Sequence, residues 1–377
     1  MADLQDEPQT ASVAVGDIDD VRDSDEVRDV DVRDSAEAAG RAPAEPADAP
    51  AAEGPGPLER ARELLARYPV VDGCNGLAHA LREMAHYDLE EGESLLETDI
   101  PRLRDGGVGA LFWSLLTPPG LAGDRALATT LEHIDLIRSV VEAHPEALRP
   151  ARSADELAHA RNCGRIAGLL GPVSGPALAD SLGTLRAYQA LGVRSAALAG
   201  TRWTQRGGLT PFGHEVVREM NRLGMLVDLS GCTPETMHRT LVVTRAPAII
   251  SQHPTRVPDD VLRQLRANGG VCMAVCTAAS VPETADLLDH VRDTAGPRTT
   301  ALTGAYDTGA AHAPGLGDVS CYPRLIAELL ERGWPEADIE ALTWSNVHRV
   351  LRDAEFVARA TQARRPASTA RLTTLDA

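Results

Sequence analysis

Residues 207–232 read GGLTPFGHEVVREMNRLGMLVDLSGC, and this stretch combines one complete helix with one strand. Thr210 and Pro211 are typical of a helix start, because a threonine side chain caps free backbone N–H groups and proline has the φ angle of the first turn. Four apolar side chains then recur at helical spacing on one face, at Val216, Val217, Met220 and Leu223. Gly224 is typical of a left-handed helix end. The pattern therefore predicts a helix over residues 211–223.

The residues after this helix, 225–230, are mostly apolar, which is the pattern of a parallel strand covered on both faces. The same succession of a short apolar run and a helical stretch recurs along the chain. The predicted strands are Val70–Asn75, Val108–Leu115, Ile166–Val173, Arg194–Gly200, Met225–Ser230, Ala248–Gln252, Val271–Cys276 and Thr300–Tyr306. The predicted helices include Arg125–Ala143, Ser181–Leu191, Pro211–Leu223, Pro234–Val243, Pro258–Ala267, Pro282–Ala295, Tyr322–Arg332 and Pro335–Arg352. Eight such alternations favour a closed (β/α)8 TIM barrel over an open α/β sheet.

Composition divides the chain into three predicted regions. Residues 1–57 contain sixteen acidic residues and four arginines, so they carry about −12 of the net charge of −18. This composition buries too little apolar surface to fold alone, and it predicts a disordered acidic N-terminal tail that either only solvates the protein or binds a partner. Residues 58–356 form the predicted barrel, and residues 357–377 are predicted to be a flexible C-terminal tail.

The basic residues and the apolar runs exclude several functions. All 37 basic residues are arginine, so no lysine forms a Schiff base or a carboxylated bridge between metal ions. No basic stripe with interleaved aromatic residues is present, and nucleic acid is therefore not an expected partner. The N-terminal residues lack the pattern of a signal peptide, and no run reaches the ~18 apolar residues of a membrane span. We expect a cytoplasmic protein with reduced cysteines and no membrane partner.

Barrel enzymes carry their reactive groups where the strands end at the C-terminal face. The candidate side chains at these positions are Cys74, Asn75, Trp113, Ser174, Arg202, Cys232, Gln252, His253, Cys276, Tyr306 and Asp307. A two-zinc hydrolytic site needs about five or six His, Asp or Glu ligands on one face. This set offers one histidine and one carboxylate. The sequence therefore predicts no metal site and no cofactor.

The cysteines of this set have two interpretations. Cys74, Cys232 and Cys276, with His253 beside them, form a thiolate metal site or a nucleophilic Cys–His pair in the first interpretation. In the second, the cysteines fill small apolar spaces, and His253 is an ordinary loop residue. No characteristic spacing supports the first interpretation, so the second is preferred. Cys74 and His253 remain candidate catalytic residues.

The other candidates are also open to two interpretations. Asp307 is a third candidate catalytic residue as an acid–base group, or it is the ion-pair partner of an arginine such as Arg202. Trp113 and Tyr306 either line a pocket or belong to the core. The residues expected to line a pocket are Asn75, Trp113, Ser174, Arg202, Cys232, Gln252, Cys276 and Tyr306.

Several short motifs follow one another along the barrel region. They are VDG at 71–73, TDIPRL at 98–103, FWS at 112–114, LTPFG at 209–213, EMNRLGM at 219–225, VDLS at 227–230 and GDVS at 317–320. In this order they resemble the membrane (renal) dipeptidase family, peptidase family M19, across nearly all of residues 58–356. The resemblance implies a (β/α)8 barrel of the metal-dependent hydrolase type, a typical dimer and zinc-dependent dipeptidase activity.

The resemblance also implies positions for the zinc ligands, and the sequence departs from the family at these positions. Where the family has His-x-Asp at the first strand, a bridging Glu at the third, and histidines after the fourth, fifth and sixth strands, this chain has Cys74, Gly76, Val173, Gly200, Gly231 and Gln252. At the eighth strand only Asp307 matches an assisting aspartate of the family. The resemblance therefore implies a degenerate member that lacks the ligand set.

Three functions follow from these observations. The first is a pseudoenzyme, a degenerate dipeptidase homologue that acts as a binding or assembly subunit for a peptide-like small molecule, as a homodimer or with an active paralogue. The second is an enzyme with metal-independent chemistry at the barrel mouth, acting on a small peptide-derived metabolite. The third is a conventional zinc dipeptidase, which ranks last because water activation by zinc requires ligands.

Overall fold

The computed structural model describes residues 55–84, 87–91, 95–204, 208–251 and 257–376. The strands in these ranges are β1 Val70–Asn75, β2 Val108–Leu115, β3 Leu148–Pro150, β4 Ile166–Val173, β5 Ser195–Ala197, β6 Leu226–Asp228, β7 Ala248–Ser251, β8 Val271–Val275 and β9 Thr300–Thr303. The α-helices are α1 Pro57–Arg67, α2 Leu77–Arg82, α3 Ile100–Asp105, α4 Gly123–Ala143, α5 Ala154–Asn162, α6 Leu182–Ala190, α7 Pro211–Leu223, α8 Pro234–Val243, α9 Asp259–Asn268, α10 Val281–Ala295, α11 Tyr322–Glu331, α12 Glu336–Glu340, α13 Asn346–Gln362 and α14 Leu372–Leu375. None of the helices described is long and apolar enough to cross a membrane.

The parallel sheet closes on itself. Its strands are hydrogen-bonded in the order β2-β1-β9-β8-β7-β6-β5-β4, and β2 then pairs directly with β4. β3 pairs with the first residues of β4 and is appended to the outside of this ring. The remaining eight strands form the predicted closed (β/α)8 barrel, which is confirmed. β3 was missed because Leu148-Arg149-Pro150 has no strand pattern.

Three of the predicted strands have the predicted bounds, and four others are shorter at the C-terminal end or at both ends. The predicted strand Ala248–Gln252 is present as β7 up to Ser251, where the described residues stop. The predicted strand Arg194–Gly200 contains only Ser195–Ala197 as β5. The chain leaves the sheet there because Gly200 has a φ of +79° and a 3-10 turn follows at Arg202–Thr204. The strand ends therefore open early into loops at the mouth of the barrel.

Helix α7 forms over the predicted residues, and its capping follows from the sequence. The Thr210 hydroxyl accepts a hydrogen bond from the Gly213 N–H at 3.2 Å, and Pro211 occupies the first turn. Gly224 ends the helix with a φ of +69°, a left-handed conformation that glycine adopts at low cost. The expected apolar face, which includes Val216 and Met220, is buried against the barrel.

Side chains alternate between the two sides of β2, and this alternation places the core. Phe112 shares the barrel interior with residues such as Val71, whereas Trp113 belongs to the core outside the strands. Helix α13 covers the end of the barrel opposite the mouth, where Val347 and Val350 join the interior core. Among the described residues, side chains therefore fill this end of the barrel, and the C-terminal face is left for ligands.

The C-terminal segment differs from the predicted flexible tail. Helix α13 continues to Gln362, whose side-chain amide donates to the Arg222 carbonyl at 2.7 Å. The Ser368 hydroxyl donates to Glu215 at 2.8 Å, and the Asp376 carboxylate accepts from the Phe212 N–H at 2.9 Å. The segment follows α7 from its C-terminal to its N-terminal end. Its composition resembles that of a tail, but its polar groups find partners on the outer face of this helix.

Candidate functional site

A cavity of about 390 Å³ opens at the C-terminal face of the barrel. Its walls come from the ends of β1, β4, β5, β6 and β7 and from the loop after β2. The polar and thiol side chains that line it are Cys74, Thr117, Ser174, Asp228, Ser230 and Ser251, and the other lining residues are Gly, Ala, Pro and Leu. This cavity is the candidate site, because enzymes with this barrel bind ligands at the same face.

Asp228 is the carboxylate of the cavity lining, and it ends strand β6. Its Oδ1 accepts hydrogen bonds from the Ser230 N–H, at 2.8 Å, and from the Ser230 hydroxyl. The same hydroxyl oxygen accepts from the Ser251 N–H at 2.6 Å, which joins the ends of β6 and β7. Burial raises the pKa of Asp228 to about 6, against the opposite effect of the Ser230 hydrogen bonds. Near neutral pH this carboxyl therefore exchanges its proton readily.

Cys74 lies on β1 at the wall of the cavity and is 8% exposed. Burial raises the pKa of its thiol to about 12, and the nearby carboxylates of Asp72 and Asp228 act in the same direction. The thiol is therefore neutral at physiological pH. A neutral thiol is a poor nucleophile, because nucleophilic attack requires the thiolate.

Ser174 connects the end of β4 to the loop that covers the cavity. Its hydroxyl accepts from the Thr117 N–H at 2.8 Å and lies 3.2 Å from the Thr117 hydroxyl. The loop at 116–122 contains two prolines and contributes much of the apolar lining. The predicted position of Ser174 in a pocket wall agrees with this arrangement.

Asp72 lies deeper in the barrel wall and joins β1 to the end of β9. Its Oδ1 accepts from the Gly304 N–H at 2.9 Å and from the Cys74 N–H at 3.2 Å. Burial raises its pKa to about 6, against several hydrogen bonds that favour the charged form. Because it is fully buried and does not line the cavity, Asp72 has a structural role in closing the barrel.

Three of the residues predicted to line a pocket are buried away from the mouth cavity. The Asn75 side chain donates to the Thr98 hydroxyl at 2.7 Å and accepts from the Leu77 N–H at 3.0 Å. The Tyr306 hydroxyl contacts the Leu316 carbonyl oxygen at 3.1 Å. Cys276 has no exposed surface, and the neighbouring Cys321 thiol together with burial raises its pKa. Cys276 and Tyr306 follow strands that end earlier than predicted, whereas Asn75 ends β1 as predicted and its side chain is held in the wall by these hydrogen bonds.

Trp113 and Cys232 also lie outside the lining of the mouth cavity. Trp113 points outward from β2 and lines a different cavity on the outer wall of the barrel. Cys232 is half-buried just before α8, and burial raises the pKa of its thiol to about 12. The structure therefore does not bring Cys74, Cys232 and Cys276 together into one reactive group, and the space-filling interpretation fits Cys232 and Cys276.

Asp307 and Arg202 do not form the expected ion pair. Arg202 is paired with Asp180 at 2.6 Å and lies in a groove beside the C-terminal segment. The Asp307 Oδ1 accepts from the Glu97 N–H at 2.8 Å, while the Asp307 N–H donates to the Glu97 carboxylate at 2.6 Å. Burial raises the pKa of Asp307, against hydrogen bonds from Thr98 and Glu97. Asp307 fixes the loop after β9 and does not line the mouth cavity.

Two candidates of the sequence analysis, Gln252 and His253, lie outside the described residues. The roles predicted for them stay predictions. The described chain resumes at Val257, which belongs to the core.

Four polar residues of the cavity were missed in the sequence analysis, namely Thr117, Asp228, Ser230 and Ser251. Asp228 was counted within an apolar strand and not as a rim residue. The signal was present, because a charged residue among Leu226, Val227 and Leu229 requires a polar partner when it is buried. Because β6 ends two residues earlier than predicted, Asp228 is its last residue and lies at the mouth of the barrel.

The side chains described at the mouth do not provide the ligands that a bound metal ion needs. Zinc requires His, Asp, Glu or thiolate ligands that converge on one point. Within the described ranges, no group of three or more His, Cys, Asp or Glu side chains has an arrangement suited to a metal ion. Of the four ligand types, the lining of the mouth cavity offers one thiol, Cys74, and one carboxylate, Asp228, whose Oδ1 is engaged by Ser230. These residues do not fit a two-zinc centre.

Comparison with protein families identifies relatives over most of the chain. A family model described as membrane dipeptidase (peptidase family M19) matches residues 58–365. Dipeptidase 3 of Mus musculus is 38% identical over 334 residues, which cover 79% of this chain and 67% of that protein. Dipeptidase aclJ of Aspergillus oryzae is 35% identical over 348 residues, which cover 80% of this chain and 81% of that protein.

Solved structures with the same fold are more distant in sequence. The probable dipeptidase PvdM from Pseudomonas aeruginosa superposes with a TM-score of 0.73 at 17% identity, covering 80% of this chain and 99% of that one. A metallo peptidase from Rhodobacter sphaeroides, liganded with a phosphinate mimic of the dipeptide L-Ala-D-Ala, superposes with a TM-score of 0.69 at 21% identity, covering 76% of this chain and 99% of that one. At this identity the likeness shows the barrel fold and no more.

Proposed function

The chain belongs to the membrane dipeptidase family, peptidase family M19, and we propose that it is a degenerate member that binds a small peptide-like molecule without hydrolysing it through zinc. The observation that carries this proposal is the lining of the mouth cavity. Cys74, Asp228 and three serines are surrounded there by Gly, Ala, Pro and Leu. Such a lining holds a neutral or cationic polar molecule and lacks the ligands that activate water on a metal.

The positions at which the family resemblance implies zinc ligands support this proposal. Val173 stands at the position of the bridging glutamate, and its side chain is fully buried in the apolar core. Gly200 and Gly231 offer no side chain, and Cys74 has a neutral thiol. Since the replacements are apolar, absent or uncharged, a metal ion would lose favourable hydration without gaining ligands.

The size and polarity of the cavity set the class of ligand. About 390 Å³ lies within the range of small-molecule sites and is large enough for a dipeptide-sized molecule. Asp228 is the charged group of this lining, and it suits an amino group or an amide N–H of the ligand. The serine hydroxyls near it offer further hydrogen bonds to peptide groups.

A second function, metal-independent catalysis on a small peptide-derived metabolite, is favoured by one observation. Asp228 has a pKa raised to about 6 beside the Ser230 hydroxyl, which is the value of a group able to take up and release protons near neutral pH. In that case Asp228 is a general base. The binding function ranks above it because Ser230 is held by Asp228 and by the Ser251 N–H and is not free to attack a substrate.

An assembly role is the third part of the proposal. A degenerate subunit is retained when it pairs with an active paralogue or with a second copy of itself, and the family resemblance implies a dimer. Co-purification from the native host tests this role directly. An intact paralogue in the complex supports the heteromer, and a complex of two identical chains supports the homodimer.

The test combines zinc content, turnover and binding on the full-length chain. We expect little bound zinc after incubation with excess ZnCl₂, no hydrolysis of Ala-Ala or Gly-Gly dipeptides, and saturable calorimetric binding of some members of a dipeptide panel. An Asp228→Asn variant weakens that binding by about 10-fold, whereas Asp293→Asn, an exposed control away from the cavity, does not change it. Zinc-dependent turnover contradicts the proposal, and metal-free turnover that Asp228→Asn abolishes supports the alternative enzyme.

A further inference from the structure

A second cavity lies on the outer wall of the barrel and shares no lining residue with the mouth cavity. It encloses about 800 Å³ between the C-terminal half of α4 and the end of α6, over β3 and the start of β4. Neither the family resemblance nor the proposed function uses this region. The cavity therefore needs an explanation of its own.

Apolar side chains form the floor of this outer cavity. Trp113 and Leu170 contribute from the barrel wall, and Ile137 and Val141 contribute from α4. The residue beside the indole is Gly168, where an added Cβ would lie 2.5 Å from the Trp113 Nε1 atom. The absence of a side chain at Gly168 thus makes room for the indole edge at the floor of the cavity.

The Trp113 indole N–H has no hydrogen-bond partner among the described residues, although the residue is only 1% exposed. Buried donors in proteins are nearly always paired, because an unpaired one loses its hydrogen bonds to water without replacement. Trp113 lines the cavity, so an acceptor oxygen of a bound molecule is a natural partner for this donor. This orphaned donor is the first of two independent observations that indicate a ligand.

The second observation is the charge of the rim. Four arginines line the cavity, Arg138, Arg149, Arg152 and Arg165, together with one acidic residue, Glu142. Arg138 donates to the Leu191 carbonyl, and Arg165 pairs with the highly exposed Glu146 at 3.5 Å. The guanidinium groups of Arg149 and Arg152 make no hydrogen bond or ion pair with any part of the chain that the structure describes. The rim is therefore cationic, with two donors available to an anion.

We propose that the outer cavity binds an amphipathic carboxylate with an internal carbonyl group, the chemistry of an N-acylated amino acid. The acyl chain lies on Trp113, Leu170 and the apolar face of α4. The internal carbonyl oxygen accepts from the Trp113 indole N–H, and the carboxylate binds Arg149 and Arg152. A purely apolar ligand leaves the arginines unpaired, and an inorganic anion leaves the floor exposed to water.

The volume and the apolar floor of the cavity favour a small molecule over a second copy of this chain. The net charge of −18 would suit the cationic rim, but the cavity has an apolar floor and the volume of small-molecule sites. A dimer partner would need a protruding acidic and apolar segment to reach the Trp113 edge. A dimer in which a second copy of the chain covers the cavity is one outcome of the test, and this outcome overturns the proposal.

The test compares two probes of similar length in calorimetric titrations of the full chain. N-octanoylglycine carries an internal carbonyl and a carboxylate, whereas undecanoate carries the carboxylate alone. We expect both to bind at one site per chain, with N-octanoylglycine several-fold tighter. Undecan-1-ol, which lacks the charge, is expected to bind at least ~10-fold more weakly than undecanoate, because charged hydrogen bonds to arginine are lost.

Variants locate the site and separate its two parts. Arg149→Gln with Arg152→Gln is expected to weaken both acids at least ~10-fold, while the charge-matched control Arg352→Gln with Arg364→Gln leaves both unchanged. Trp113→Phe keeps the apolar floor but removes the N–H, so it should abolish the advantage of N-octanoylglycine over undecanoate. Thermal melts of each variant check that the fold is intact.

Several results overturn the proposal. One is an absence of binding of either acid to the wild-type chain at millimolar concentration, and another is equal weakening by the control pair. A third is an advantage of N-octanoylglycine that persists in Trp113→Phe, which removes the indole from the site. The fourth is sedimentation of the wild-type chain as a dimer that binds neither acid. None of these results depends on zinc or on the mouth cavity, so they are distinguishable from failure of the proposed function.

Discussion

Cys74 and Asp228 face the same cavity, and burial shifts the pKa of both groups upward. The common cause is the loss of hydration, which disfavours the charged form of an acid. The consequences differ because the ordinary pKa values differ. Cys74 remains a neutral thiol across the physiological range, whereas Asp228 changes its charge near pH 6. At the scale of single residues, the mouth thus holds one titrating group of physiological relevance among the described residues.

The pKa of Asp228 leads to a stability prediction. Its folded-state pKa of about 6 exceeds the ordinary value of 3.8, so the native state binds the proton more tightly than the unfolded chain. The free energy of unfolding therefore falls as the pH rises from about 4 to about 6, by up to about 3 kcal/mol for this group. We expect Asp228→Asn to raise the stability at pH 7.5, measured by urea unfolding, by about 1–3 kcal/mol.

The same variant provides its own control at low pH. Near pH 4 the folded-state carboxyl is protonated and the unfolded one, with its ordinary pKa of 3.8, is close to half protonated, so most of the difference between Asp228→Asn and wild type should be gone there. Asp293→Asn, at an exposed position, should not reproduce the gain at pH 7.5. A loss of stability in Asp228→Asn at pH 7.5 would show that the Ser230 hydrogen bonds outweigh the cost of burying the charge.

At the scale of elements, helix α4 contains a buried histidine that makes the fold sensitive to acid. His133 has no exposed surface, and neither ring nitrogen has a hydrogen-bond partner among the described residues. Burial lowers its pKa from 6.5 to about 4, and the neighbouring His79 and Arg82 act in the same direction, against Glu132. Helix α4 therefore packs best with this imidazole neutral.

Acid denaturation measures this effect. Because the folded-state pKa of His133 is below its unfolded value, its contribution to the free energy of unfolding is lost as the pH falls from about 6.5 to about 4. The loss amounts to about 3 kcal/mol at most. We expect His133→Leu to be more stable than wild type at pH 4.5 and to show a flatter dependence of stability on pH.

A histidine at the surface serves as the control for this measurement. His290→Asn changes a side chain that is 43% exposed, and it should leave the pH dependence nearly unchanged. If His133→Leu has the same acid transition as wild type, another group, such as a buried carboxylate, dominates acid unfolding.

The C-terminal segment stabilises helix α7 at its N-terminal end. The Asp376 carboxylate accepts from the Thr210 hydroxyl at 2.6 Å and from the Phe212 N–H at 2.9 Å. A carboxylate at this end satisfies a free N–H and interacts favourably with the helix dipole. We expect Asp376→Ala to lower the free energy of unfolding by about 1 kcal/mol in a urea titration.

Asp376→Asn keeps an acceptor oxygen without the charge and should lose only part of this stability. Equal stability of Asp376→Ala and wild type would mean that the segment lies against α7 without supporting it.

At the scale of the whole molecule, the sequence predicts the fold more completely than the site. The barrel follows from local signals that are read within one element, such as Thr210-Pro211 at the start of α7 and Gly224 at its end. β3 and the attachment of the C-terminal segment depend on partners distant in sequence, and no local pattern reveals them. Similarity of the chain to known dipeptidases over residues 58–365 agrees with this architecture.

The site is less predictable because it depends on where each strand leaves the sheet. The early end of β6 brings Asp228 to the mouth, and the early ends of β8 and β9 leave Cys276 and Tyr306 in the wall. Trp113 lies on β2, which has the predicted bounds, and its side chain is on the outer side of that strand. Side chains alternate between the two sides of a strand, so neighbouring residues of one strand face different cavities. Predictions from strand ends therefore place residues near the mouth, and some of them, such as Cys74 and Ser174, line the cavity.

Zinc stoichiometry of the full-length chain tests the central claim most directly. The protein is incubated with excess ZnCl₂, freed of unbound metal by gel filtration and measured by elemental analysis, with an active zinc dipeptidase treated identically as the reference. If the mouth cavity lacks a two-metal ligand set, this chain should retain far less than one zinc ion while the reference retains its metal. Two zinc ions per chain, together with hydrolysis of a dipeptide, would contradict the account.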